Sequence, residues 1–105
     1  MTTRDIATKA IQVNEEGFMT DPSEWTPDIA VAIAAEEGIP TLTPKHWQVI
    51  EFCRKDAASS GKAPTLRRIT TTTGLTTKDM FALFPKGPAK KVAKISGLGK
   101  PEGCV

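Results

Sequence analysis

The chain has 105 residues, 39% hydrophobic and 25% charged, with two cysteines, one histidine and a formal net charge of +2. That balance describes a single folded domain that buries a modest core without staples. It excludes a disulfide scaffold and a paired Cys/His zinc site, and no apolar run approaches the roughly 20 residues needed to cross a bilayer.

The charge is unevenly spread. Residues 1–61 carry five basic groups against ten acidic ones, whereas residues 62–105 carry nine basic groups against only Asp79 and Glu102. A basic rear third is expected to meet something anionic: a nucleic acid, an acidic protein face, or the chain's own front half. The opening "MTTRDIATKA" lacks the apolar block of a secretion signal, so a cytoplasmic, reducing location with free thiols is expected.

In chain order, "IQVNEEGFMTD" predicts a short N-terminal β-hairpin, with a polar turn at Gly17 leading into Phe18 and Met19. Pro22 and Pro27 fall near the starts of helical turns, where a missing amide proton does little harm. "PDIAVAIAAEEG" predicts a mostly buried helix stopped at Gly38. The strongest helix lies in "TPKHWQVIEFCRKDAASSG", with Thr43 as N-cap, Pro44 at the first position and Gly61 as the stop. Its apolar stripe is Val49, Ile50, Cys53 and Ala57, flanked by Trp47 and Phe52, with Lys45, Gln48, Glu51 and Lys55 opposite. "PTLRRITTTTGLTTKDMFALFP" reads as two short helices joined at Gly74, with a Thr76/Asp79 capping box opening the second. "GPAKKVAKIS" gives a last helix with Ala89, Val92 and Ile95 inward and Lys90, Lys91 and Lys94 outward. Nothing periodic follows Gly97. These elements make one mainly helical domain with a short hairpin, whose two short helices around Gly74 could form a helix-turn-helix.

The two thiols differ in kind. Cys53 lies in the core stripe, where plain packing explains it and burial suppresses reactivity. Cys104 sits one residue from the end in "SGLGKPEGCV", a stretch that cannot be helical. Nine residues from Gly97 span roughly 30 Å when extended, enough to push a sulfur into a partner's pocket. An incidental terminal cysteine is the plain alternative. Thiol-to-thiol sulfur transfer needs an accessible thiolate, and Lys100 is placed to favour one. Gly97, Gly99 and Gly103 would serve as hinges. Arg67 and Arg68 with Lys90, Lys91 and Lys94 would form a docking face. His46 reads as structural. No nucleophile–His–acid set, phosphate loop or metal motif is present, so no cofactor is expected. The helix-turn-helix-like pair admits a DNA-binding regulator, but "TTKDMFALF" is rich in core-type side chains and poor in base-reading ones.

The segments "DPSEWTPDIAVAIAAEEGI", "LTPKHWQVIEFCR", "KAPTLRRI", "LFPKGPAKKVAKISGLGKP" and the closing "GCV" together resemble the DsrC/TusE family. The resemblance runs from about Asn14 to Val105 and implies a mainly α (α+β) fold: one small, compact orthogonal helical bundle over residues 1–105, with a helix-turn-helix-like pair, a short N-terminal β-hairpin and a mobile C-terminal arm over residues 97–105. It also implies a sulfurtransferase-type persulfide carrier rather than a self-sufficient enzyme, with Cys104 accepting sulfur and passing it on. The partners implied are sulfur-donor and sulfur-acceptor proteins: a relay complex and a tRNA-thiolating enzyme in 2-thiouridine formation, a sulfur-oxidation pathway, or dissimilatory sulfite reductase. Two-cysteine members carry a second arm cysteine eleven positions before the last. Here that position is Ala93, so an intra-arm disulfide cannot form and the single-cysteine, TusE-like pattern fits better. Gly99 stands where the family usually has proline, which should loosen the arm.

Overall fold

The computed structural model describes residues 2–6 and 9–101. Strand β1 (Thr2–Ile6) pairs antiparallel with β2 (Lys9–Val13), in the register Thr2 with Val13 through Ile6 with Lys9. The ladder therefore lies upstream of the hairpin expected at Ile11–Met19. The turn at Gly17 does exist: Asn14 Oδ1 accepts from the amides of Glu16 at 2.9 Å and Phe18 at 3.0 Å, and Gly17 has φ 88°. Beyond that turn, however, among the described residues only a single bridge, Val13 to Met19, extends the sheet. Pro22, three residues past Met19, lacks the amide proton a continuing strand would donate.

A 3-10 turn at Pro22–Glu24, capped by Asp21, leads to α1 (Pro27–Glu36). α1 ends where Gly38 takes φ 86°, with the Gly38 amide on Ala35 O and the Ile39 amide on Ala34 O. α2 (Pro44–Ser60) starts after Thr43 and stops at Gly61, φ 84°. α3 (Leu66–Thr73) forms despite its threonine run: Thr65 caps it, and Thr73 turns its hydroxyl back to Ile69 O at 2.6 Å. Gly74, φ 80°, closes α3, and the reciprocal Thr76/Asp79 box opens α4 (Thr77–Leu83). α5 (Pro88–Ile95) follows Gly87.

α2 is the spine of the core. Its Val49, Ile50 and Cys53 are fully buried, and it packs against α3 and α5, while α1 also lies on α5. Ile29, Ile33, Ile69, Met80, Phe84, Val92 and Ile95 close around it. Each such side chain contributes about 1.5–3 kcal/mol by leaving water. No helix among the described residues is long and apolar enough to cross a membrane.

Candidate functional site

The site is built where α5 ends and the C-terminal segment begins. α5 is amphipathic: Ala89, Val92, Ala93 and Ile95 are buried, while its lysines lie at the surface edge. Its last carbonyls are all accounted for. Val92 O takes the Ser96 amide at 2.9 Å, Lys94 O the Gly97 amide at 3.2 Å, and Ala93 O the Leu98 amide at 2.9 Å. These are the paired bonds of a helix end closed by a left-handed glycine. Ile95 O accepts from Trp25 Nε1 at 2.8 Å, and Ser96 O accepts from Arg54 Nη1 at 2.8 Å. The Arg54 guanidinium lies 4.2 Å from the centre of the Trp25 ring and also reaches Pro22 O at 3.3 Å. Burial without a carboxylate to offset it lowers the Arg54 pKa.

Gly97 is buried at φ 73°, and a Cβ there would come within 2.6 Å of Trp25 Cδ1. It is a close-approach residue wedged under an indole, not the hinge its composition suggested. Leu98 and Pro101 are also buried, so the chain expected to move from residue 97 onward is anchored as far as Pro101. Gly99 and Lys100 are exposed, and a Cβ at Gly99 would meet nothing within 4 Å. Gly103, Cys104 and Val105 lie outside the described residues.

Beside this exit, Lys86, Lys90, Lys91, Lys94 and Lys100 line one hollow of about 250 Å³ with Glu16, Glu37 and Phe18. Five lysines against two glutamates give the lining +3, so the rest of the chain sums to −1. The molecule's positive charge is therefore concentrated here. The lysines expected to point freely outward are partly engaged. Lys91 Nζ donates to Glu37 O at 2.7 Å, and Lys94 Nζ stands 3.8 Å from Glu37 Oε1 and over the Phe18 ring. Lys100 Nζ, expected to assist the thiol, donates to Glu16 Oε1 at 3.3 Å.

The two arginines do not join this face. Arg68 Nε donates to both oxygens of Asp56, at 2.8 and 2.9 Å, and its Nη2 adds a third bond. That fork ties α3 to α2, lowers the Asp56 pKa and raises that of Arg68. Arg68 and the α5 lysines line different hollows. Arg67 is exposed on α3. His46 is structural as read. Its Nδ1 accepts from the Thr43 amide at 3.0 Å, which leaves Nε2–H to donate to Leu83 O at 2.8 Å and so ties α2 to α4. Cys53 is buried at 0% exposure, and burial, with a smaller push from the Asp56 charge, drives its pKa far up. It is inert packing. Trp25 and Arg54 were not singled out from sequence. Their partners lie 70 and 42 residues away, which no local periodicity reveals.

A model of the DsrC like protein family matches residues 5–105. The dissimilatory-type sulfite reductase subunit gamma of Nitratidesulfovibrio vulgaris is 36% identical over 97 residues, covering 92% of each chain. The sulfurtransferase TusE of Escherichia coli K12 is 36% identical over 104 residues, covering 92% of this chain and 94% of that protein. Among solved structures, Allochromatium vinosum DsrC superposes with a TM-score of 0.85 at 34% identity, over 98% of this chain and 97% of that one. With the family model matched over residues 5–105 and these relatives 36% identical over 92% of the chain, this chain belongs to the DsrC-like family.

Proposed function

We propose that this protein is a sulfur-relay carrier that takes a sulfane sulfur onto Cys104 and hands it to a partner. The observation that carries the reading is that the family match extends to residue 105 and so takes in the penultimate cysteine, while the one described thiol, Cys53, is sealed in the core. In the loading step the Cys104 thiolate attacks the outer sulfur of a donor persulfide. A new S–S bond forms on Cys104, the donor's S–S bond breaks, and the electron pair leaves on the donor thiolate. Handing on repeats the exchange with the acceptor's thiolate as nucleophile. Sulfur keeps its oxidation level throughout, so the chain needs no resident cofactor for these steps.

The lysine hollow at the exit serves as the docking face for an acidic rim around the partner's sulfur, which steers association. Lys90, Lys91 and Lys94 keep their assigned role there, joined by Lys86 and Lys100; Arg68 is committed to Asp56. Among the exposed side chains of α4, Thr77, Lys78, Phe81 and Ala82, only Thr77 and Lys78 carry a polar group for a base edge, and no Arg, Asn or Gln is there. A thiol relay of this kind belongs in the reducing cytoplasm. Ala93 is buried within α5 and supplies no second thiol, which favours a relay toward tRNA thiolation or sulfur oxidation over a complete sulfite-reductase cycle.

Intact-protein mass spectrometry after exposure to inorganic polysulfide tests the reading. Wild type should gain sulfur that a thiol reductant removes, Cys104→Ser should gain none, and Cys53→Ala should load like wild type. Equal loading of wild type and Cys104→Ser would sink it.

A further inference from the structure

The end of α5 is held from outside by two side chains remote in sequence. Among the described residues, Arg54 makes no ion pair. Its guanidinium is used on two carbonyl oxygens, Ser96 O at the helix end and Pro22 O, and is stacked on Trp25, whose indole N–H takes the adjacent Ile95 O. A cation at the negative end of a helix is stabilised by the helix dipole, so the guanidinium suits this place without a carboxylate. The same arginine lines a hollow of about 170 Å³ with Pro22, Leu98 and Gly99, directly at the chain's exit. The underside of Gly97 rests on the Trp25 ring.

We infer that Arg54 and Trp25 are positioning residues for sulfur transfer: they clamp the last two carbonyls of α5 and thereby set the direction in which the chain leaves toward Cys104. Exchange between sulfurs requires the attacking thiolate in line with the bond it breaks, and alignment is lost when the root of a short tether swivels. The clamp spends rigid groups on a helix terminus that its own amides already half satisfy. An ordinary surface helix leaves those carbonyls to water. The inference rests on Cys104 as the carrier thiol, and polysulfide loading tests that separately, because a small donor reaches the thiol whatever the direction of the root.

Amide hydrogen exchange followed by NMR tests the clamp. Arg54→Gln is expected to speed exchange of the Gly97 and Leu98 amides about tenfold, equivalent to about 1.4 kcal/mol, and to leave the Val49 and Ile50 amides of α2 unchanged. Arg54→Lys, which can reach one carbonyl but not both, should fall between. A nitroxide on Cys104, selective because Cys53 is buried, should broaden amides on one side of the wild-type domain and lose that contrast in Arg54→Gln. Trp25→Phe, which keeps an aromatic ring against Arg54 but loses the indole N–H with the pyrrole portion of the bicycle, carries the same test should Arg54→Gln fail to fold. Exchange at Gly97 and Leu98 that is unchanged, or that rises only in step with Val49 and Ile50, overturns the inference. So does an unaltered nitroxide pattern.

Discussion

α1 and α5 end with the same backbone device and put it to different uses. At α1, Gly38 and Ile39 return their amides to Ala35 O and Ala34 O at 3.2 and 2.8 Å; at α5, Gly97 and Leu98 return theirs to Lys94 O and Ala93 O at 3.2 and 2.9 Å. Around Gly38 a Cβ would meet nothing within 4 Å, whereas at Gly97 it would strike Trp25. The carbonyl of Glu37 is met by the flexible ammonium of Lys91, but those of Ile95 and Ser96 are met by an indole and a guanidinium. The first end is a stop; the second is a junction. The difference shows that a left-handed glycine in a sequence says where a helix ends and nothing about how firmly the next segment is held.

The sharpest way to break this contrast is to add a methyl group at each glycine. Gly97→Ala combines a strained φ with a clash against a packed ring and should cost roughly 3 kcal/mol or more. Gly38→Ala, with the strain alone, should cost about 1 kcal/mol. Urea midpoints of the two variants compare them directly; equal losses would erase the distinction. Cys53→Ala, in the core, should cost about 1–2 kcal/mol while leaving exchange at Gly97 and Leu98 in step with the rest of the domain.

Ser96 sharpens the contrast from the other side. Its hydroxyl is fully buried with no hydrogen-bond partner among the described residues, although its carbonyl is held by Arg54. Ser96→Ala should therefore be neutral or raise stability by about 1 kcal/mol in thermal unfolding, which would show that the backbone, not the side chain, does the joining.

Acid should separate the junction from the α2–α3 tie. Asp56 is held below the ordinary carboxyl range by the Arg68 hydrogen bonds. Its contribution is therefore complete above the unfolded carboxyl value of about 4 and is lost as pH falls through the lower folded value. The arginine end is 57% exposed, so salt screens the pair and the loss is small. Asp79, lowered mainly by the Thr76 amide, behaves in the same direction. The clamp on α5 uses only carbonyl acceptors. As pH falls below about 4 the protection of Gly97 and Leu98 relative to the other amides should not change, while Asp56→Asn should remove the Asp56 share of the acid loss and leave that of Asp79.

Much of this was legible in the sequence where the signals are local. Thr43, Pro44 and Gly61 bounded α2, and the Thr76/Asp79 box opened α4, because caps satisfy backbone groups only three or four residues away. The hairpin was misplaced because "TTRDI" shows no apolar alternation of its own and its pairing depends on the partner strand. Gly97 and Lys100 looked free because freedom is what an isolated glycine or lysine displays; the indole and the Glu16 carboxylate that restrain them come from the other end of the chain. Arg68 looked like docking charge until the fold brought Asp56 beneath it. The proposal of Cys104 as carrier rests on the family pattern rather than on any physical signal in the residues around it.

The stacking of Arg54 on Trp25 has one more consequence. The chain has two tryptophans and no tyrosine, and one of the two touches the junction through its N–H, its face and its edge. Indole emission responds to hydrogen bonding at Nε1 and to a cation held against the ring. In a Trp47→Phe background the remaining fluorophore becomes a native optical gauge of the segment that leaves α5, able to register a docking partner without any label attached to Cys104.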